Sequence, residues 1–230
     1  MSLLDVIYPK FCLGCGTFGT YCCTNCLRSL PPLSVLKCPK CEKVTPDGRT
    51  HPWCQTKYGL DGLISFYPYR GIIQKAIKGI KYRLAFRIAG DVLQSIPEKQ
   101  QLLINKIIKT EHAVMLIPIP LHASRQRVRG FNQAEIIAHR LSTLLSVSIQ
   151  AGILERVVKT QPQVEMRYRN ERFKNMKHVF AIKKRNPYSI QGASVFLVDD
   201  VFTTGATLQS ATEVLKRAGA KHVFGITIAQ

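Results

Sequence analysis

The chain has 230 residues, 46% of them hydrophobic, enough for one full α/β core with a small appended module. No run of about 18 apolar residues occurs, which excludes a membrane-spanning helix. The 33 Lys and Arg against 14 Asp and Glu give a net charge of +19, a field that attracts nucleic acid through its phosphates.

The first residues, MSLLDVIYPKFC, carry no basic region, long apolar stretch or small-residue cleavage site, so a cytoplasmic, reducing location is expected. All eight cysteines fall within the first 54 residues. In a reducing compartment such clustering favours metal over disulfides. Cys12-x-x-Cys15 with Cys23-x-x-Cys26 predicts one closed tetrahedral site, and Cys38-x-x-Cys41 with His51-x-x-Cys54 a second. Gly14 is expected to give the first knuckle its permissive backbone. Cys22 also precedes Cys26, but the spacing favours Cys23 as the ligand. The full ligand sets predict structural zinc, with no open position for chemistry. The boundary of this zinc module is placed at residue 58, with a second domain over 59–230.

Beyond Cys54 the composition changes. Gly62–Tyr69 reads as a strand, and Arg70–Tyr82 as a helix with Ile72, Ile73, Ala76, Ile77 and Ile80 on one face. Helical spacing continues over Ala85–Ile96 and Leu102–Ile108. Ala113–Ile119 is an apolar run suited to a strand covered on both faces. Phe131–Leu145 predicts a helix with Asn132 as N-cap and Glu135 completing a capping box. Strands follow at Val147–Leu154, Val179–Ile182, Ser194–Val198 and Val223–Ile228, with a helix over Ala206–Ala218 closed by Gly219. This alternation predicts an α/β fold, a mostly parallel sheet flanked by helices. Glu155–Lys177 has no clear periodicity and is expected to form a hood over a site.

Val195–Val198 build a buried strand that delivers Asp199 and Asp200, after which Val201 and Phe202 turn into Thr203-Thr204-Gly205-Ala206-Thr207 at a helix start. Backbone N–H groups there, with the dipole's positive end and three threonine hydroxyls, suit a phosphate. Gly205 lets the backbone approach the anion. The two carboxylates cannot hold phosphate but suit the hydroxyls of a ribose. As a string, VFLVDDVFTTGAT resembles the 5-phosphoribosyl pyrophosphate (PRPP) signature of type I phosphoribosyltransferases. That resemblance implies a PRPP site over Asp199–Thr207, with Asp199 and Asp200 as its candidate catalytic residues on the sugar.

The segment Pro118–Leu141, with its RGFNQ, resembles the ComF family, as do Tyr69-Arg70-Gly71, Lys78–Tyr82, Gln161, Arg169-Asn170 and the double zinc ribbon. His51 departs from it, standing where the family commonly has cysteine. The resemblance implies a type I phosphoribosyltransferase fold, PRPP with Mg²⁺, and cytoplasmic handling of single-stranded DNA during uptake in natural transformation, with proteins of the uptake machinery as partners. It also places a pyrophosphate grip after Pro118-Ile119-Pro120, where Leu121, His122 and one arginine, Arg129, are the expected contacts among His122, Arg125, Arg127 and Arg129. Mg²⁺ would ride mainly on pyrophosphate and ribose oxygens. Tyr67, Tyr69, Tyr82, Phe86 and Tyr168 lie among basic residues, as core or as stacking platforms for bases. Two functions stay open: a PRPP-binding module in DNA handling, and an active transferase of nucleotide metabolism with no DNA role.

Overall fold

Runs of Val, Ile, Leu and Phe without polar alternation need cover on both faces. The computed structural model, which describes residues 9–30, 33, 35–81, 85–111, 113–158, 179–183 and 189–230, gives them that cover. Five parallel strands form the central sheet in the order β3 (Gly62–Tyr67), β9 (His222–Ala229), β8 (Ser194–Val201), β4 (Val114–Pro118), β5 (Ser148–Ile149). Alternate residues of β8 serve opposite faces, as the pleat requires. Phe196 and Val198 pack with Ile73 and Ile77 of α2 (Gly71–Ile80), Ile88 of α3 (Ala85–Leu93), Ile104 of α4 (Glu98–Thr110) and Ile137 of α6 (Gln133–Leu145). Val195 and Leu197 pack with Leu208, Ala211 and Leu215 of α7 (Ala206–Arg217). Each such fully buried side chain contributes about 1.5–3 kcal/mol. At the N-terminal end of the sheet Glu111 accepts from Ser194 Oγ and faces His222 Nδ1, both at 2.9 Å.

The parallel α/β architecture expected from the alternation is thus present, and the differences are local. Val147–Leu154 is two strands rather than one, because the chain turns at Ala151-Gly152. Its second half, β6 (Leu154–Arg156), leaves the main sheet and pairs antiparallel with β7 (Phe180–Ile182). The aperiodic segment therefore begins as paired strand; residues 159–178, with Gln161, Tyr168 and Arg169-Asn170, lie outside the described residues, as does Tyr82. The stretch after Pro120 is helical: α5 (Ala123–Arg129) is capped by His122, whose Nδ1 accepts from Ser124 N–H at 3.3 Å. Asn132 caps α6 through Ala134 N–H at 3.1 Å. Glu135 accepts from the Asn132 side-chain amide at 3.3 Å and not from its backbone, so the capping box is only half made.

The N-terminal knuckles attach in different ways. Cys12, Tyr21, Cys22 and Leu27, the last in α1 (Thr24–Arg28), are part of the same core as α2 and α3. Asp91 on α3 clamps them, accepting from Thr20 Oγ1 at 2.8 Å and from the Tyr21 and Cys22 amides at 2.7 and 3.3 Å. The second knuckle is a hairpin of β1 (Leu36–Lys37) and β2 (Val44–Thr45). It is stitched to the edge strand β3 through Leu63 N–H to Gly48 O and Thr50 N–H to Asp61 O, both 2.8 Å.

Candidate functional site

In the sheet order, β4 leads to β5 on one side and β8 leads to β9 on the other. The carboxyl ends of β4 and β8 therefore open a crevice at the topological switch point, where open α/β sheets bind ligands. Val195–Thr207 runs up β8 into this crevice and starts α7.

The strand continues to Val201, pairing Asp199 with Thr227 and Val201 with Ala229. Because side chains alternate along it, the two neighbouring aspartates leave on opposite faces. Asp199 lines a cradle with Val201, Phe202, Thr203, Gly205, Ala206, Thr207 and Leu208. Asp200 is buried and faces the other way, 3.6 Å from Lys81 Nζ, and its Oδ2 has no hydrogen-bond partner among the described residues. Burial, and after it the charge of Asp200, push the Asp199 carboxyl well above the usual carboxylate range, while Arg156 pulls it back. The turn from Thr203 to Thr207 brings the start of α7 along the cradle, and Thr204 Oγ1 accepts from Ala206 N–H at 3.4 Å.

Gly205 sits at φ +79° as the N-cap of α7, and a Cβ there would lie 2.8 Å from two atoms of the Phe202 ring. Gly205→Ala is therefore expected to displace either the turn or Phe202, at a cost of about 1–3 kcal/mol. Anion binding at the turn should fall with it, and calorimetry on the variant beside its melting curve checks both.

Across the crevice, Leu121 and His122 form the turn between β4 and α5, and His122 bridges in parallel to Arg156. Arg156 is not among the residues expected at this site. Its guanidinium lies 5.6 Å from the Phe180 ring centre. Burial first, then the like charge of Arg125, hold it below the usual arginine range, and Asp199 raises it. Arg125, Arg156 and Asp199 thus share one electrostatic neighbourhood. Arg129 stands near the far end of α5 and donates to Gln133 Oε1 at 2.5 Å. The signal for Arg156 was present in the paired apolar steps Ile153-Leu154 and Val179-Phe180 that flank the segment read as a loop.

The cysteines assemble in the two expected quartets, Cys12, Cys15, Cys23, Cys26 and Cys38, Cys41, His51, Cys54, with ligand atoms all within 4.8 Å of one another, as a metal ion needs. Cys15 Sγ and Cys23 Sγ are 3.6 Å apart, close to the edge of about 3.8 Å of a tetrahedral zinc–thiolate site. His51 turns Nδ1 to Cys41 Sγ at 3.3 Å, and its Nε2 lies 3.0 Å from Val44 O, the outer partner that fixes a ligating tautomer. Cys22 stays out of the first quartet: burial pushes its thiol up to about 12, and it packs as a core residue. Gly14 is needed for space rather than for an unusual backbone, since a Cβ there would lie 2.8 Å from Cys26 Sγ. The left-handed residue of that turn is Gly16, at φ +77°.

Of the aromatic candidates, Tyr67 is core, its hydroxyl donating to Ser95 O, and Tyr69 packs partly buried against the same cluster. Phe86 is exposed. No helix among the described residues is long and apolar enough to cross a membrane.

Residues 103–229 match the model of the phosphoribosyl transferase domain. The chain is 35% identical over 111 residues to Competence protein F of Haemophilus influenzae, covering 47% of this chain and 46% of that protein. It is 25% identical over 210 residues to the DNA utilization protein YhgH of Salmonella typhimurium, covering 87% of this chain and 86% of that protein. To Competence protein ComFC of Bacillus subtilis it is 27% identical over 173 residues, or 71% of this chain and 62% of that protein. The chain thus spans about half the length of the first relative and most of the second.

Proposed function

The chain belongs to the phosphoribosyl transferase domain family, as a member of its ComF group, and from that membership we propose that it binds PRPP with Mg²⁺ and handles single-stranded DNA in the cytoplasm during DNA uptake. The observation that carries the first half is the strand–turn–helix formed by Val195–Thr207 at the switch point, with Arg125 and Arg156 across the crevice. In this reading Thr203–Thr207 hold the 5-phosphate through the N–H groups that open α7. Asp199 accepts from ribose hydroxyls. Asp200, set behind the strand against Lys81, acts on the sugar through the shape and charge of that strand end. Leu121 and His122 with Arg125 and Arg156 receive the pyrophosphate, whose oxygens suit arginine forks; Arg129 would serve it from farther along α5. Mg²⁺, when bound, neutralises pyrophosphate charge and is held mainly by ligand oxygens. The two quartets hold zinc as structural ions, because thiolate and imidazole donors in a closed tetrahedron favour that metal.

The names of the relatives and the +19 charge support the DNA half. Titration calorimetry with PRPP and Mg²⁺ tests the pocket, with binding expected for the unmodified chain and weakening for Asp199→Asn. Equal affinity for both would remove the ribose assignment. Fluorescence anisotropy with single-stranded oligonucleotides should show affinity falling steeply with salt, because each neutralised phosphate releases counterions. Consumption of PRPP with nucleobases, in a protein that binds no strand at low salt, would instead mark a transferase of nucleotide metabolism.

A further inference from the structure

The second knuckle does more than cap an edge strand. Between it and the phosphate turn lies a cleft of about 150 Å³ lined by Lys40, Thr50, Thr56 and Leu60 on one side and Phe202 and Thr204 on the other. Phe202 and Gly205 line both this cleft and the phosphate cradle, so the two spaces are neighbours. Pockets for drug-sized ligands run to roughly 300–1,000 Å³. This smaller space suits a single flat ring system with the rest of its ligand outside. Among the described residues no carboxylate lines it, while Lys40 supplies a cation at the rim, and the threonine hydroxyls offer edge hydrogen bonds between the apolar walls of Leu60 and Phe202.

Three residues before Thr56 the chain presents Trp53, 78% exposed. Its ring lies over His51 at 4.7 Å between centres and 10° between planes, so one face is fixed on a member of the metal quartet and the other is open. An exposed indole held flat in this way loses little freedom when something stacks on it. Over residues 35–58 the cations are Lys37, Lys40, Lys43, Arg49 and Lys57, against the anions Glu42 and Asp47. Asp47 is already taken by Arg49 at 3.5 Å. The knuckle therefore combines a rigid open aromatic face with an excess of positive charge, the pairing that recognises unstacked bases on a phosphate backbone.

We propose that the second knuckle is the docking face for a single-stranded DNA chain, with one base stacked on Trp53, a neighbouring base in the cleft beside Thr204, and the backbone against Lys40. The proposal rests on the reading of the chain as a single-strand binder and assigns it a place. It also puts strand and PRPP side by side, because Phe202 and Gly205 border both. Gln209 of α7 ties the two halves together, donating to Tyr58 O at 3.2 Å.

The chain contains one tryptophan, so its emission reports on Trp53 directly in the unmodified protein. Titration with an oligothymidine of roughly 20 nucleotides is expected to quench that emission in step with the rise in anisotropy of a labelled strand. Trp53→Ala and Lys40→Glu should each weaken strand binding, the first by roughly 5- to 150-fold for one lost stacking partner. PRPP affinity measured by calorimetry should be unchanged in Trp53→Ala. If the strand binds but emission is constant and both variants bind as well as the unmodified chain, the docking face lies elsewhere and the proposal is overturned while single-strand binding stands. If no strand binds at low salt, both fall. If thymidine monophosphate binds as tightly as the oligonucleotide and is weakened equally by the two substitutions, the site takes a free nucleotide and the strand assignment is overturned.

Discussion

Asp199→Asn is expected to make the protein more stable and less able to bind PRPP at the same time. The Asp199 carboxyl titrates well above its ordinary range because burial and the adjacent Asp200 both disfavour its ionised form. A group whose folded pKa is raised gives stability that is full below its unfolded pKa, near 3.9 for aspartate, and lost as pH rises through the folded value. An ionised Asp199 is thus a burden on the fold, tolerated where a ligand needs it. Asn keeps the acceptor used by the Asp200 amide, which bonds Asp199 Oδ1 at 2.9 Å, and removes the charge. The gain should be about 1 kcal/mol, or roughly 2–4 °C in Tm for a chain of this size. PRPP affinity should fall at least tenfold, about 1.4 kcal/mol, since a hydrogen bond to a charged group is worth about 1.5–3 kcal/mol. In the unmodified protein PRPP binding should strengthen as pH rises through the raised pKa, and that dependence should flatten in the variant. Asp200→Asn, whose partner is Lys81 on the opposite face, should disturb binding less. Melting curves and calorimetry over a pH series decide the matter; a variant less stable than the parent would show that the Asp199 charge is compensated in the fold.

Where the sequence was readable, local chemistry and tertiary structure agree. The apolar runs of β4 and β8 tolerate only a sheet covered on both faces, and the CxxC steps bring their thiols together from single turns. The errors fall where short-range pattern and long-range packing part company. A stretch as basic as Ala123–Arg129 has no buried residue, so no apolar period announces its helix; the His122 cap and Gly130 bound it instead. Leu154–Arg156 reads as the tail of the preceding strand because only its partner Phe180–Ile182, distant in sequence, pulls it away from the sheet. Asp199 and Asp200 look like a pair until the strand is known to extend to Val201, which sets them on opposite faces. Arg156 went unread for the same reason, since its place beside Asp199 depends on that β6–β7 pairing, of which the flanking apolar steps are the one local trace. The attachment of the first knuckle is another long-range fact: Cys22 and Leu27 complete a core whose other members come from α2, α3, α4, α6 and the sheet.

That attachment sets the second large effect, an unequal response of the two knuckles to loss of metal. In the first, the ligand Cys12 is itself buried in the main core, and Tyr21 and Cys22 are held by Asp91 on α3. Loss of an ion there would free four mutually close sulfurs and loosen the turn whose Gly14 lies against Ile72. Structural zinc sites in isolated fingers contribute roughly 10–16 kcal/mol of apparent binding energy that becomes folding energy. Even a loss of about 4 kcal/mol would lower Tm by roughly 8–16 °C in a chain of this size. Cys26→Ser should therefore depress the main cooperative transition and draw the whole α/β unit down with it. Cys41→Ser breaks a site whose hairpin touches the sheet at its edge, through Gly48, Arg49 and Thr50 against Asp61–Leu63. It should lower metal content by one ion while moving the main transition by only a few degrees, about 1–2 kcal/mol. Metal analysis beside circular-dichroism melting separates the cases, with about two ions expected for the unmodified chain. Equal losses of Tm in the two variants would mean that the second knuckle also belongs to the cooperative core, and that the edge of β3 cannot fold without it.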